Sequence, residues 1–172
     1  MEYRTKPNLS LPEFVSVFEN MILHGNPSHW DDKDFLNLIQ YYISESLTEK
    51  AMEALDYALQ FSSHHADFYV IKNRLLMQEE DFKEANETLD IALNLYPCHP
   101  ELQLMKIKVT AQLGDYEKAF TMVDNCSDQM TLNSCVDLYL AEAYIYECMR
   151  EYSLMYNKLR DVLTIDPKNE EA

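Results

Sequence analysis

The chain has 172 residues, a formal net charge of -16 at pH 7 and 47% hydrophobic residues. This length suggests one domain or one short helical array, and the apolar fraction is enough for a sizeable core. The acidic charge disfavours nucleic acid and acidic membrane surfaces as partners, because phosphate binding needs clustered Lys and Arg. Having only two glycines and six prolines, the sequence favours long helices joined by short corners.

The cysteines and the apolar runs bear on where the protein resides. Cys98, Cys126, Cys135 and Cys148 form no Cys-x-x-Cys pair, so we interpret them as reduced thiols. The first residues lack the apolar core of a signal peptide, and no apolar run is long enough to span a bilayer. We therefore expect a cytoplasmic location and no membrane partner.

Residues 1–30 are predicted to hold a flexible tail followed by one helix. Ser10 and Glu13 have the spacing of a capping box, and Gly25 is a natural stop. Because this helix has no hairpin partner, we expect it to cap one end of the array, with Trp30 as its anchor. The alternative is that the helix exchanges into a second molecule and makes a dimer.

Residues 66–99 contain two helical runs joined by the polar corner Gln78–Asp81. Apolar residues recur on one face of the second run, namely Phe82, Ala85, Leu89, Ala92 and Leu95. A shift of 34 residues places Ala51 and Ala119 at the position of Ala85. Since one hairpin cannot bury its own apolar face, this periodicity predicts stacked copies.

The period and pattern resemble the tetratricopeptide repeat (TPR), a pair of antiparallel helices. The match is good in Asp81–Ala85 and Gly114–Ala119, and it recurs in Glu151-Tyr152 and Ile165–Pro167. The resemblance implies an all-α fold: a right-handed α-solenoid of about four TPR-like helical hairpins with an N-terminal capping helix. We expect Gly114 to adopt the left-handed conformation that ends a helix.

The repeat register divides the chain after residue 30 into four predicted units. They are TPR-like repeat 1 at 32–65, repeat 2 at 66–99, repeat 3 at 100–133 and TPR-like repeat 4 at 136–169. Met155 replaces the usual alanine of the family, so we expect looser packing there. A further repeat or closing helix usually follows in the family, so we expect an exposed last apolar face or a chain that is a fragment.

The sequence offers little that indicates catalysis. It has no nucleophile motif and no phosphate-cradling glycine loop, so we predict a non-enzymatic protein without catalytic residues or cofactors. His64-His65 and Cys98-His99 lie at repeat ends, but their spacing fits no established zinc pattern. We therefore assign no metal site.

Ligands of the TPR family usually lie along an inner groove lined by the first helix of each repeat. The resemblance implies two columns of groove residues here. The apolar column is Leu36, Val70, Leu104 and Leu140. The column four residues later is polar or amphipathic and comprises Gln40, Arg74, Lys108 and Tyr144. Four residues make one helical turn, so the two columns should lie side by side.

Arg74 and Lys108 are scarce basic residues in an acidic chain. One interpretation is a clamp for a peptide carboxylate, with the apolar column receiving the peptide's side chains. The other is that Asp67, Glu101 and Asp137, also predicted to face inward, pair with these bases. The sequence alone does not decide between the two.

The leading functional hypothesis is a cytoplasmic scaffold that binds a protein or peptide of unknown identity in its groove. Leu36 and Gln40 do not match the Lys and Asn with which some TPR domains hold chaperone tails, so we do not predict that ligand. One alternative is a TPR-type chaperone for exported proteins. Another is the non-catalytic repeat region of a larger enzyme or regulator. A homodimer through the N-terminal helix or the open C-terminal end also stays open.

Overall fold

The computed structural model describes residues 11–24, 30–61, 65–127 and 132–172. These residues form nine α-helices and no strand. The helices are α1 (Leu11–His24), α2 (Asp32–Ser44), α3 (Thr48–Phe61), α4 (Ala66–Gln78), α5 (Phe82–Leu95), α6 (Pro100–Gln112), α7 (Tyr116–Ser127), α8 (Leu132–Cys148) and α9 (Tyr152–Ile165). The predicted tail, the Ser10 cap and the Gly25 stop lie outside the described residues.

The helices fall into two compact units, residues 1–68 and 69–172. The first unit holds α1 to α3 and the first turn of α4. The second holds the rest of α4 and α5 to α9.

The hairpin of α2 and α3 supplies most of the first unit's core. A capping box starts α2: Asp31 accepts a hydrogen bond from the Asp34 N–H at 3.0 Å, and Asp34 accepts one from the Asp31 N–H at 3.2 Å. The buried face of α2 is large, with Phe35, Leu38, Ile39 and Tyr42, whereas that of α3 is mostly small, with Ala51, Ala54, Leu55 and Ala58. Large side chains facing alanines let the two helices pack closely.

Trp30 joins α1 to the first hairpin. Its ring centroid lies 5.4 Å from that of Phe14 and 5.7 Å from that of Phe18 on α1, and 5.2 Å from that of Phe35 on α2. Phe18 is only 1% exposed. The predicted anchoring role of Trp30 is confirmed, and α1 packs on the hairpin of its own chain.

The second unit is built from successive helix pairs. α6 contacts α5, α7 and α8, and α8 also contacts α7 and α9. One buried cluster joins three of these helices, and its members are Ile107, Ala111, Ala119, Val123, Leu138, Ala141 and Ile145. α6 is therefore central to this unit, since it packs against the helices before and after its own hairpin.

Lys106 ties α5 to α6 in the interior of the second unit. Its Nζ lies 2.6 Å from the Asp90 carboxylate and donates to the Asn86 side chain at 2.6 Å and to the Asn86 carbonyl at 3.0 Å. The lysine is 4% exposed. Its charge is tolerated in the core because three oxygens surround it.

The four hairpin corners share one backbone geometry. Ser46, Glu80, Gly114 and Arg150 stand at the same register position, and all have positive φ, at 58°, 60°, 85° and 62°. After each, a backbone N–H returns to the carbonyl five residues earlier, as in Leu47 to Tyr42 at 2.8 Å and Asp81 to Leu76 at 2.9 Å. This is the Schellman motif. The left-handed conformation predicted at Gly114 is confirmed, and three residues with side chains adopt it too.

The start of α8 differs from the predicted repeat boundary. The fourth repeat was expected from residue 136, but α8 begins at Leu132. The helix therefore reaches into the segment assigned to repeat 3.

At the C-terminal end of the second unit, α9 leaves apolar side chains exposed, including Tyr152 at 60% and Tyr156 at 68%.

Replacing Ala85 with leucine should overpack the second unit. Ala85 is fully buried, so the substitution Ala85→Leu is expected to lower the free energy of unfolding by about 1–3 kcal/mol. Chemical denaturation measures the change. The control Glu87→Leu, at an exposed site of the same helix, should change it by less than about 0.5 kcal/mol. Equal effects of the two variants would contradict the assigned packing.

Removing a glycine from one corner and adding a glycine at an equivalent corner should have opposite effects on stability. An added Cβ on Gly114 would meet no atom within 4 Å, so Gly114→Ala should cost about 1 kcal/mol through backbone strain alone. Glu80→Gly should cost nothing or stabilise, because it relieves that strain. Thermal and denaturant unfolding of both variants test this. A loss of stability in Glu80→Gly larger than in Gly114→Ala would refute the shared geometry.

Candidate functional site

The eight predicted groove residues divide between the two units. Leu36 and Gln40 lie on α2 in the first unit, where Leu36 is half-buried and Gln40 is exposed. The other six lie on α4, α6 and α8 in the second unit. Of these, Val70 is only 5% exposed, so its side chain belongs to the interior. The remaining five line two surface cavities of the second unit.

The first cavity has a volume of about 440 Å³. Its apolar lining comes from Met77, Leu104, Met105 and Leu140, and its charged lining from Arg74, Glu101, Lys108, Asp137 and Glu171. The structure therefore brings Arg74, Leu104, Lys108 and Leu140 together, as the register predicts. Met77 and Glu171 were not among the predicted groove residues.

The second cavity has a volume of about 270 Å³ and shares Lys108, Leu140 and Glu171 with the first. Its other lining residues are Ala143, Tyr144, Glu147, Met155 and Leu159. Met155 stands where the family has alanine, and here it is half-buried on α9 and lines the cavity. We refer to the two cavities together as the groove.

Arg74 is engaged within the chain. Its guanidinium donates a hydrogen bond to the Glu101 carboxylate and forms an ion pair with it. Both side chains are well exposed, at 63% and 44%, so the pair contributes little to stability. The structure therefore agrees with the second interpretation of Arg74, in which the base pairs within the chain. Glu101 occupies the position that a ligand carboxylate would take.

Lys108 lies on an aromatic ring. Its Nζ is 5.7 Å from the ring centroid of Tyr144, and it makes no ion pair with any described residue. Gln112 donates a hydrogen bond from Nε2 to the Tyr144 hydroxyl at 2.6 Å. Burial raises the pKa of the Tyr144 phenol, more than the Gln112 hydrogen bond lowers it, so the phenol is neutral at physiological pH. The ring therefore offers Lys108 an uncharged π face.

Three groove carboxylates share one register position. Glu101 lies in the first turn of α6, Asp137 lies 36 residues further on in the second turn of α8, and Glu171 follows Asp137 by 34 residues. All three line the first cavity. Glu171 lies beyond the predicted end of repeat 4, but the same 34-residue shift that revealed the repeats would have identified it.

The thiols and metal ligands show no arrangement suited to catalysis in the described part of the chain. Burial raises the pKa of the Cys126 and Cys148 thiols, which makes them weak nucleophiles. Within residues 11–24, 30–61, 65–127 and 132–172, no group of three or more His, Cys, Asp or Glu converges as metal ligands. His64 lies outside these ranges.

Helix length and polarity bear on membrane insertion. Among the described helices, none combines the length and apolar character required to traverse a bilayer.

Comparison of sequences gives no match, since neither a protein-family model nor a curated protein matches this chain. Comparison of folds gives many matches. A tetratricopeptide repeat protein from Parabacteroides merdae superposes with a TM-score of 0.71 at 15% identity, covering 92% of this chain and 61% of that chain.

Two further solved structures give similar values. YrrB, described as a TPR protein with an unusual peptide-binding site, has a TM-score of 0.67 at 15% identity and covers 94% of this chain and 78% of that chain. A thermophilic TPR protein from Thermus thermophilus has a TM-score of 0.66 at 18% identity and covers 92% of this chain and 82% of that chain. At such low identity the similarity concerns the fold, and it shows that this chain is an all-α repeat protein with the tetratricopeptide repeat fold.

Proposed function

We propose that this chain is a non-enzymatic protein-interaction module that holds a peptide or protein segment in the groove of residues 69–172. The observation that carries the proposal is the cavity of about 440 Å³, where four apolar side chains lie beside five charged ones. Ligand sites in proteins commonly combine an apolar lining with a few polar groups that fix orientation. Leu104 and Leu140 would contact apolar side chains of the ligand.

The fold supports this function by analogy. Repeat proteins of this kind use extended surfaces built from successive helices to bind other proteins. YrrB, which has the same fold, is described as having a peptide-binding site. The groove here is formed by α4, α6 and α8, which are the first helices of successive hairpins.

The proposal extends to catalysis, cofactors, location and the class of partner. We assign no catalytic residue and no cofactor, because the groove contains no activated nucleophile. A cytoplasmic location accords with four free cysteines. We propose a protein or peptide as the partner rather than nucleic acid, since the net charge is -16.

The proposal is tested by selecting peptides on the native chain and locating their site. Peptides from a random displayed library would be measured against Leu104→Gln/Leu140→Gln. Since both leucines line the groove, affinity should fall about tenfold or more. Fluorescence anisotropy gives the dissociation constants, and circular dichroism verifies the fold.

A matched control uses leucines outside the groove. Leu113 and Leu163 are 44% and 39% exposed and line neither cavity. Leu113→Gln/Leu163→Gln should bind the selected peptides as the native chain does. Equal affinity of the groove variant and the native chain would place the binding site elsewhere and refute the proposal.

A further inference from the structure

The groove has an apolar strip with a particular charge pattern along it. Met77, Leu104, Met105 and Leu140 form the strip in the first cavity. Two basic residues and four acidic residues line the two cavities, namely Arg74 and Lys108 against Glu101, Asp137, Glu147 and Glu171. The lining is therefore negative, whereas one of the two interpretations of the sequence was a clamp for carboxylates.

Internal pairing leaves this acidic excess unchanged and reduces the number of bases that a ligand can contact. Arg74 is held by Glu101, so neither side chain is available without breaking that pair. Asp137, Glu147 and Glu171 are exposed, and the structure gives them no ion pair with any described residue. A ligand entering the groove thus meets three unpaired carboxylates and one lysine.

The surroundings reinforce the negative potential. Residues 69–172 contain ten Lys and Arg but nineteen Asp and Glu. Charges of one sign over a whole face attract ligands of the opposite sign and speed their association. An acidic peptide would be repelled on approach and would find a single available cation.

The repeat also sets the spacing of the two groove leucines. Leu104 follows Glu101 by three residues, and Leu140 follows Asp137 by three, so each helix presents a carboxylate and a leucine on one face. α6 and α8 are in contact, and packed helices lie about 8–10 Å apart. That distance corresponds to about three residues of an extended chain, at about 3.3 Å per residue.

We infer that the ligand of this groove is an extended basic segment, with apolar side chains at about every third position and Lys or Arg between them. The inference rests on the proposed function, since it names the class of peptide that the groove takes. Asp137, Glu147 and Glu171 bind the basic side chains, and Leu104 and Leu140 contact the apolar ones. Lys108, drawn to the Tyr144 ring, is the one groove residue that opposes such a ligand.

The experiment uses three nine-residue peptides that differ only in charge. Each is a threefold repeat of Lys-Ser-Leu, Glu-Ser-Leu or Gln-Ser-Leu, labelled with a neutral fluorophore. Anisotropy titrations with the full chain give the dissociation constants at low and at physiological salt. The lysine peptide is expected to bind tightest, and its affinity should fall as salt is added, because the contacts are between exposed charges.

Two triple variants distinguish the effect of the groove carboxylates from the effect of the net charge. Asp137→Asn/Glu147→Gln/Glu171→Gln removes the unpaired groove carboxylates and should weaken binding of the lysine peptide about tenfold. Glu87→Gln/Glu117→Gln/Asp161→Asn changes the net charge equally, at exposed sites outside both cavities. This control should weaken binding by less than about threefold. Lys108→Gln should strengthen it.

The outcomes distinguish the inference from the function on which it rests. Tightest binding of the glutamate peptide, equal losses in the two triple variants, or weaker binding by Lys108→Gln would overturn the basic ligand. If the bound peptide were still lost from Leu104→Gln/Leu140→Gln, the groove function would stand. Failure of all three peptides to bind would overturn the inference, whereas the function would stand if library-selected peptides still lost affinity for Leu104→Gln/Leu140→Gln.

Discussion

The structure depends on a corner that reverses the chain with one left-handed residue and one hydrogen bond. At Ser46, Glu80, Gly114 and Arg150 the positive φ closes the first helix of a hairpin, and the next residue immediately precedes the second helix. At Asp81 that next residue also accepts a hydrogen bond from the Glu84 N–H at 3.1 Å. One residue thus ends a helix and caps another, so the corner needs no longer loop. Short corners hold the alanine faces together in register.

This register governs the groove as well as the core. Because each hairpin turns at the same position, Glu101 on α6 and Asp137 on α8 precede their corners by the same number of residues and line the same cavity. The leucines that follow them line the same cavity. Charge and apolar contact are therefore distributed by the repeat rather than gathered at one point. A surface of this kind suits an extended ligand better than a compact one.

The sequence predicted the hairpins, which follow from its periodicity. It did not predict the contacts and burial that depend on individual side chains. The spacing of Ala51, Ala85 and Ala119 was enough to predict the hairpins, because small residues at a fixed period mark close helix contacts. It could not show that Arg74 pairs with Glu101, since two long side chains can reach several partners. Val70 was placed in the groove because its register position is shared with Leu104, but its own side chain is buried. The left-handed conformation at Glu80 and Arg150 was not predicted, because neither residue is a glycine.

The corners also bear on how such a chain tolerates insertions. The first three left-handed residues are separated by 34 residues, yet Gly114 and Arg150 are 36 apart, and the fourth corner has the same φ as the first two within a few degrees. The two added residues have not changed the turn, and Glu101 and Asp137 still precede their corners by the same number of residues. The two extra residues between Gly114 and Arg150 thus leave the geometry of the following corner unchanged. An array of this type can gain or lose residues between corners while the residues that line its cavities keep their register.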